Sequence, residues 1–354
     1  MKKPIVYILT EIAIIVFLPA FILFTTGLLN ITAIKMDRPD TLSDYPQQPK
    51  LIKDFDISRI MSSKIKVYIA DEDKTVDIDF EKYIKGVVAA EMPLYFDLEA
   101  LKAQAIAART YTICKLSAYY DGDNQTHKDG ARICTDYRHC QAWRDPDSIV
   151  KAFGEGEKEK AEGYVAKLNQ AVDETARVII TYEGNPINAL YHSNSGGWTE
   201  NSEDVWPGYV EPYLRSVPSF GEEDNSEFCK IQYFTTEEFV QKFKAHSEDF
   251  SGEPESVFQS IVVLDRTPSG RINTIKIADK TYPGTDVRTI LDVLSTNLIF
   301  RQNDDGRIEV ISFGYGHGVG MSQYGAASMA KKGQTCEQIL KYYYTNILLS
   351  YYNI

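Results

Sequence analysis

Basic residues are scarce in this chain: 38 Lys and Arg stand against 50 Asp and Glu, a net charge of −12 over 354 residues. Phosphate binding rests on clustered cations, so nucleic acid is not the expected partner. The same balance argues against simple charge attraction to an anionic membrane or cell wall. Cysteine is sparse too, with five residues, and a disulfide-scaffold protein is excluded. Five is odd, so at least one thiol is free, metal-bound or paired with another chain. No internal repeat is visible. What remains is ordinary: 44% hydrophobic and 25% charged residues, which excludes a disordered or collagen-like chain and supplies a sizeable core. The length suggests two or three domains. The 23 tyrosines offer faces that suit hydroxyl-rich ligands such as sugars.

Residues 12–34 carry no ionisable side chain and follow Lys2 and Lys3. A run of this length matches the roughly 20 apolar residues of a membrane-crossing helix. No A-x-A cleavage pattern follows, so it reads as an uncleaved single-pass anchor. Lys2 and Lys3 favour a cytoplasmic N-terminus, although Lys35 and Arg38 beyond the run weaken that bias. The expected organisation is a cytoplasmic tail and membrane entry over 1–11, the anchor at 12–34, a Pro-rich linker over 35–59, and an extracytoplasmic domain over 60–354. Within that domain a Cys/His insertion falls at about 120–150.

Alternation predicts a hairpin over 65–80 and further strands at 177–182, 187–192, 260–265, 271–277, 297–301 and 307–312. Helices are expected at 81–90, 97–119, 156–175, 236–246, 286–293, 322–331 and 335–344. Hairpins and helices interleave without regular βαβ spacing. The fold class is therefore α+β, a mixed, mainly antiparallel sheet with packed helices.

Four constellations carry possible chemistry. Pro93 disfavours the helical region at its predecessor, which puts Glu91 at a helix end or turn. The next helix carries Lys102 and Arg109, two turns apart and so on one face. Glu91 beneath them is either the acid or base of a buried cleft or a surface Glu beside a solvated basic face. The stretch 191–206, YHSNSGGWTENSEDVW, offers small residues and the flat faces of Trp198 and Trp206. His192, Ser193 and Ser195 tempt toward a serine hydrolase, but no G-x-S-x-G elbow is present; a turn-rich loop is the bland alternative. The stretch 313–330, FGYGHGVGMSQYGAASMA, demands unusual backbone angles and places His317, Gln323 and Tyr324 either at a pocket or in a purely structural turn. Last, His127, Cys134, His139 and Cys140 are the ligand types of tetrahedral zinc, with a Cys134–Cys140 disulfide as the alternative. Four protein ligands would make a closed, structural site. The pairing of Cys114, Cys229 and Cys336 is left open.

The stretches 86–112, 191–206 and 316–330, in that order behind an N-terminal anchor, resemble the stage II sporulation protein D family of membrane-anchored peptidoglycan lytic transglycosylases, related to the amidase-enhancer proteins. The resemblance implies a catalytic acid at Glu91, and substrate contacts from Lys102, Arg109, Tyr191, His192, Ser193, Ser195, His317, Gln323 and Tyr324. It implies cleavage of peptide-denuded glycan strands between N-acetylmuramic acid and N-acetylglucosamine during engulfment, at the septal membrane of a sporulating cell. The implied partners are an amidase of the stage II sporulation protein P type and a membrane scaffold protein. The Cys/His segment resembles the zinc-binding insertion of clostridial members. Two rivals stand beside this reading: a non-catalytic glycan-binding activator of an amidase, and a zinc hydrolase acting through the Cys/His site.

Overall fold

A computed structural model describes residues 56–117, 127–153, 155–226 and 228–352. The expected anchor at 12–34 lies outside them. Among the described residues no helix is long and apolar enough to cross a membrane.

The chain opens with an antiparallel hairpin, β1 (Lys64–Ile69) and β2 (Lys74–Asp79), with Lys64 opposite Asp79. It runs directly into α1 (Phe80–Glu91), which stops where Pro93 requires it to: Met92 is already extended, at φ −119 and ψ 141. Next comes α2 (Leu98–Leu116), rich in alanine and buried on nearly every side. A helix apolar all round belongs inside a core. Short β3 (Ile133–Cys134) then pairs in parallel with β1. The amphipathic α3 (Lys158–Glu174) packs on α1 and α2, and β4 (Val178–Tyr182) lies against α2.

The hairpin expected over 177–192 is only partly there. Asn185–Pro186, β5, pairs with β4, whereas Tyr191–His192, β6, leaves that sheet. Its partner is a distant strand in parallel, with Tyr191 opposite Met321.

A second core follows. The sheet of β7 (Cys229–Phe234), α4 (Thr236–His246), the meander β8 (Val262–Arg266), β9 (Ile272–Ile277) and β10 (Lys280–Pro283), α5 (Gly284–Leu291), β11 (Leu298–Gln302) and β12 (Ile308–Phe313) enclose Phe239, Phe243, Ile275, Leu291 and Val310. The chain then returns to the first core through β13 (Met321–Ser322), α6 (Gln323–Lys331), α7 (Cys336–Tyr343) and the edge strand β14 (Leu348–Tyr351) on β4. Both α6 and α7 pack on α2. The class is thus mixed α+β with small, mostly antiparallel sheets and packed helices, as expected. The excursion into a second core is what the periodicity did not reveal.

Candidate functional site

Glu91 closes α1 at the edge of the first core, recessed but still in contact with solvent. Its surroundings are built by a strap over residues 141–144. Gly86 makes room for that strap, because a Cβ there would collide with the Trp143 indole and the Arg144 carbonyl. The Arg144 amide donates to Gly86 O at 3.3 Å, and its Nε donates to Ala89 O at 2.7 Å. The strap so held delivers the Ala142 N–H to Glu91 Oε1 at 2.6 Å. From the other side Gln323 Nε2 donates to Oε2 at 3.4 Å. Burial dominates these two donors and pushes the Glu91 carboxyl up from 4.5 to about 7. Neither a cation nor a second carboxylate contributes to that value. A general acid working near neutral pH needs such an environment.

The strap is itself anchored. Gln141 donates to Thr112 Oγ1 at 3.0 Å and receives the Tyr191 hydroxyl at 2.8 Å. Tyr191 therefore acts on Glu91 through its neighbours.

The two glycine-containing loops meet backbone to backbone. Gly314 and Gly196 both have positive φ, and a Cβ on either would strike the other loop's main chain. Asn194 and Tyr315 exchange backbone bonds of 3.0 and 2.7 Å, and the Glu200 amide donates to Gly318 O at 2.8 Å. His192 and His317 come within 5.7 Å, ring to ring, and Trp206 lies 5.2 Å from His317. His317 accepts the Val319 amide at Nδ1. Burial, then the charges of Arg288 and Arg271, hold it down to about 3, so it is a neutral imidazole.

Several expected contact residues are committed elsewhere. Arg109 is fully buried and forks onto Glu81, with Nε to Oε1 at 2.9 Å and Nη2 to Oε2 at 2.8 Å. It also bonds Val178 O and Val172 O. Lys102 pairs with Glu99 at 2.9 Å and Glu174 at 2.5 Å. Neither joins Glu91; Lys102 keeps part of its side chain exposed, whereas Arg109 is enclosed by α1, α3 and β4. Ser195 is likewise buried, its amide donating to Glu222 Oε2 at 2.8 Å and its hydroxyl to the same carboxylate. His192 is buried with Nδ1 on Val319 O. Ser193 accepts the Tyr324 amide on its carbonyl, and the Tyr324 ring packs edge-on against Phe96. Of the expected set, Gln323 alone donates directly to Glu91 among the described residues. The Ala142 amide escaped sequence reading because any residue supplies one.

His127, Cys134, His139 and Cys140 converge so that their ligand atoms lie within 4.8 Å of one another. Cys134 Sγ to His139 Nδ1 is 3.8 Å, His139 Nδ1 to Cys140 Sγ 3.3 Å, and Cys140 Sγ to His127 Nε2 3.8 Å. A tetrahedron with arms of roughly 2.0–2.3 Å has edges of about 3.3–3.8 Å, the spacing of a zinc site. Both cysteines are free thiols, so the disulfide alternative is not formed. The cluster can hold a metal ion.

The geometry thus describes an α+β protein with one recessed, near-neutral carboxyl and a separate four-ligand cluster. The family model described as stage II sporulation protein matches residues 69–182. The chain is 35% identical to stage II sporulation protein D of Bacillus subtilis (strain 168), over 81% of this chain and 78% of that one. It is 33% identical to the protein of the same name from Bacillus amyloliquefaciens, with the same coverage. An amidase enhancer of Bacillus subtilis (strain 168) is 27% identical over 76% of this chain and 40% of its own length. These matches define a sporulation protein with a cell-wall-related role. The chain belongs to the stage II sporulation protein D family.

Proposed function

We propose that this protein is a lytic transglycosylase that cleaves peptide-denuded glycan strands, with Glu91 as its one acid and base. The observation that carries this reading is a recessed carboxyl, held by the Ala142 amide and Gln323 and pushed up by burial to about 7, on which no second carboxylate acts among the described residues. A hydrolytic glycosidase commonly needs two carboxylates, the second to activate water or attack the sugar. An intramolecular transfer needs one. Glu91 protonates the glycosidic oxygen as the C1–O bond breaks. The resulting carboxylate takes the proton of the muramic C6 hydroxyl as O6 closes on C1. No water is consumed and Glu91 ends protonated. The Ala142 and Gln323 donors hold the carboxylate between these steps. Mass spectrometry of products should show 1,6-anhydromuramic ends; ordinary reducing ends, one water heavier, would overturn the mechanism.

The likeness to an amidase enhancer supports a second reading, a glycan-binding activator without chemistry of its own. Purified protein incubated with glycan strands separates the two, since an activator creates no new glycan ends. On either reading an amidase of the stage II sporulation protein P type and a membrane scaffold are the proposed partners. The apolar run at 12–34 is the proposed anchor, with the remainder on the extracytoplasmic side. Deleting residues 1–35 should release the protein from the membrane fraction.

Zinc is the proposed metal of the Cys/His cluster, held by all four side chains and therefore without an open position. Cys134→Ser should lose bound zinc and melt at a lower temperature. Stoichiometric zinc at an unchanged melting temperature would show that Cys134 is not a ligand.

A further inference from the structure

A cavity of about 210 Å³ lies beside His317, between the 200–207 segment and the start of α5. It is roughly seven times the volume of a liquid water, room for a small polar group and the edge of a sugar ring. Arg288 lines it, and among the described residues its guanidinium has no ion-pair or hydrogen-bond partner. Tyr315 and Tyr137 favour its charge and burial disfavours it, and the Arg271 guanidinium, on which Arg288 acts as a like charge, lines the same cavity. The N-terminus of α5 opens at the same wall, with Gly284 and Thr285 lining the cavity and no side chain capping it. Glu200 lines it as well. Its Oε1 is taken by Arg271, Thr267 and Ser269, while Oε2 is buried without any partner. Asp204, the other acid of the wall, is engaged by Asn201 Nδ2 at 2.8 Å.

An unpaired guanidinium calls for an anion. A buried carboxylate oxygen without a donor calls for a hydroxyl. A phosphate fits this wall badly, because two acids share it and one free cation does not make a basic cluster. A sugar acid meets both demands at once.

Resting on the glycan reading above, we propose that this cavity is a carboxylate subsite for the glycan strand. It receives the free lactyl carboxylate of a peptide-free muramic residue on Arg288, with a sugar hydroxyl donating to Glu200 Oε2. Arg288 is then a specificity-determining residue. A strand that still carries stem peptides has an amide in place of that carboxylate and forfeits the charge-assisted pair.

The test is equilibrium binding to the full chain in detergent, with Glu91→Gln to prevent turnover. Three probes of equal length are used: a peptide-free N-acetylglucosamine–N-acetylmuramic acid oligomer, the same oligomer bearing stem peptides, and an N-acetylglucosamine oligomer without any carboxylate. The first should bind about 10- to 100-fold more tightly than the other two, the worth of a hydrogen bond to a charged group. Arg288→Ala should abolish that preference while leaving the third probe's affinity unchanged, and Arg288→Lys should restore part of it. Equal affinities for the first and third probes in the protein with Arg288 intact would overturn the subsite without recourse to a variant. So would a peptide-bearing strand that binds as tightly as the bare one, or no measurable glycan binding. A clear preference in a protein whose Glu91 form yields no anhydro ends would sink the cleavage reading and leave the subsite standing. Cleavage without the preference would do the reverse.

Discussion

Glu91→Gln should bind glycan strands as the parent does, cleave them at least ~10²-fold more slowly, and melt at a higher temperature at pH 8. The rate loss follows, on the proposed mechanism, from removing the carboxyl that protonates the leaving oxygen. The stability gain follows from linkage. Burial raises the folded carboxyl from 4.5 to about 7, so between those values the folded state holds a proton that the unfolded chain has released. Stability therefore falls as pH rises from about 4.5 to about 7 and levels off above. A glutamine is neutral throughout and escapes that cost. Its amide also suits the site, with the carbonyl oxygen under the Ala142 N–H and the Gln323 amide turned to accept. The parent's rate should fall as pH rises through about 7, where the acid form is lost. A variant that melts lower and no longer binds glycan would mean that Glu91 holds the fold rather than the reaction.

Arg109→Ala should cost about 3 kcal/mol, the low end of the range for removing one partner of a buried pair, because Glu81 keeps 30% of its side chain exposed. That corresponds to a drop on the order of 10 °C in melting temperature for a domain this large. The guanidinium ties α2 to Glu81 of α1 and to the carbonyls of Val172 and Val178, at the end of α3 and the start of β4. Its loss strands the Glu81 carboxylate and two main-chain acceptors in one place. Protein that remains folded should show an unchanged KM. An unaltered melting temperature with a raised KM would return Arg109 to the cleft as a substrate contact.

How much of this was legible differs from residue to residue. The end of α1 was readable because Pro93 acts on its immediate neighbours. The Cys/His cluster was readable because its residue types have few other reasons to gather. For Arg109 the seven-residue spacing reports only a shared face. It does not say whether that face meets water or, as here, three other elements. The Gly-rich loops announced positive φ, but the encounter of Gly196 with Gly314 joins segments more than a hundred residues apart, beyond the reach of any local pattern. The parallel pairing of β6 with β13 was hidden for the same reason, and it drew 191–192 out of the hairpin that alternation predicted. The strap that carries the Ala142 amide left only an indirect trace, Gly86, whose missing side chain is the space the strap fills.

Ala142 stands two positions beyond Cys140, so the last metal-type ligand and the donor to Glu91 share one short stretch of main chain. Chelation that stops cleavage is therefore no diagnosis of a metalloenzyme. Slackening the cluster withdraws a hydrogen bond from the carboxylate, and an acid deprived of that donor keeps its proton to higher pH. The signature of such indirect inactivation is a pH–rate profile whose alkaline limb moves upward as the proposed zinc is removed, whereas loss of a metal-bound nucleophile would flatten the profile without displacing it.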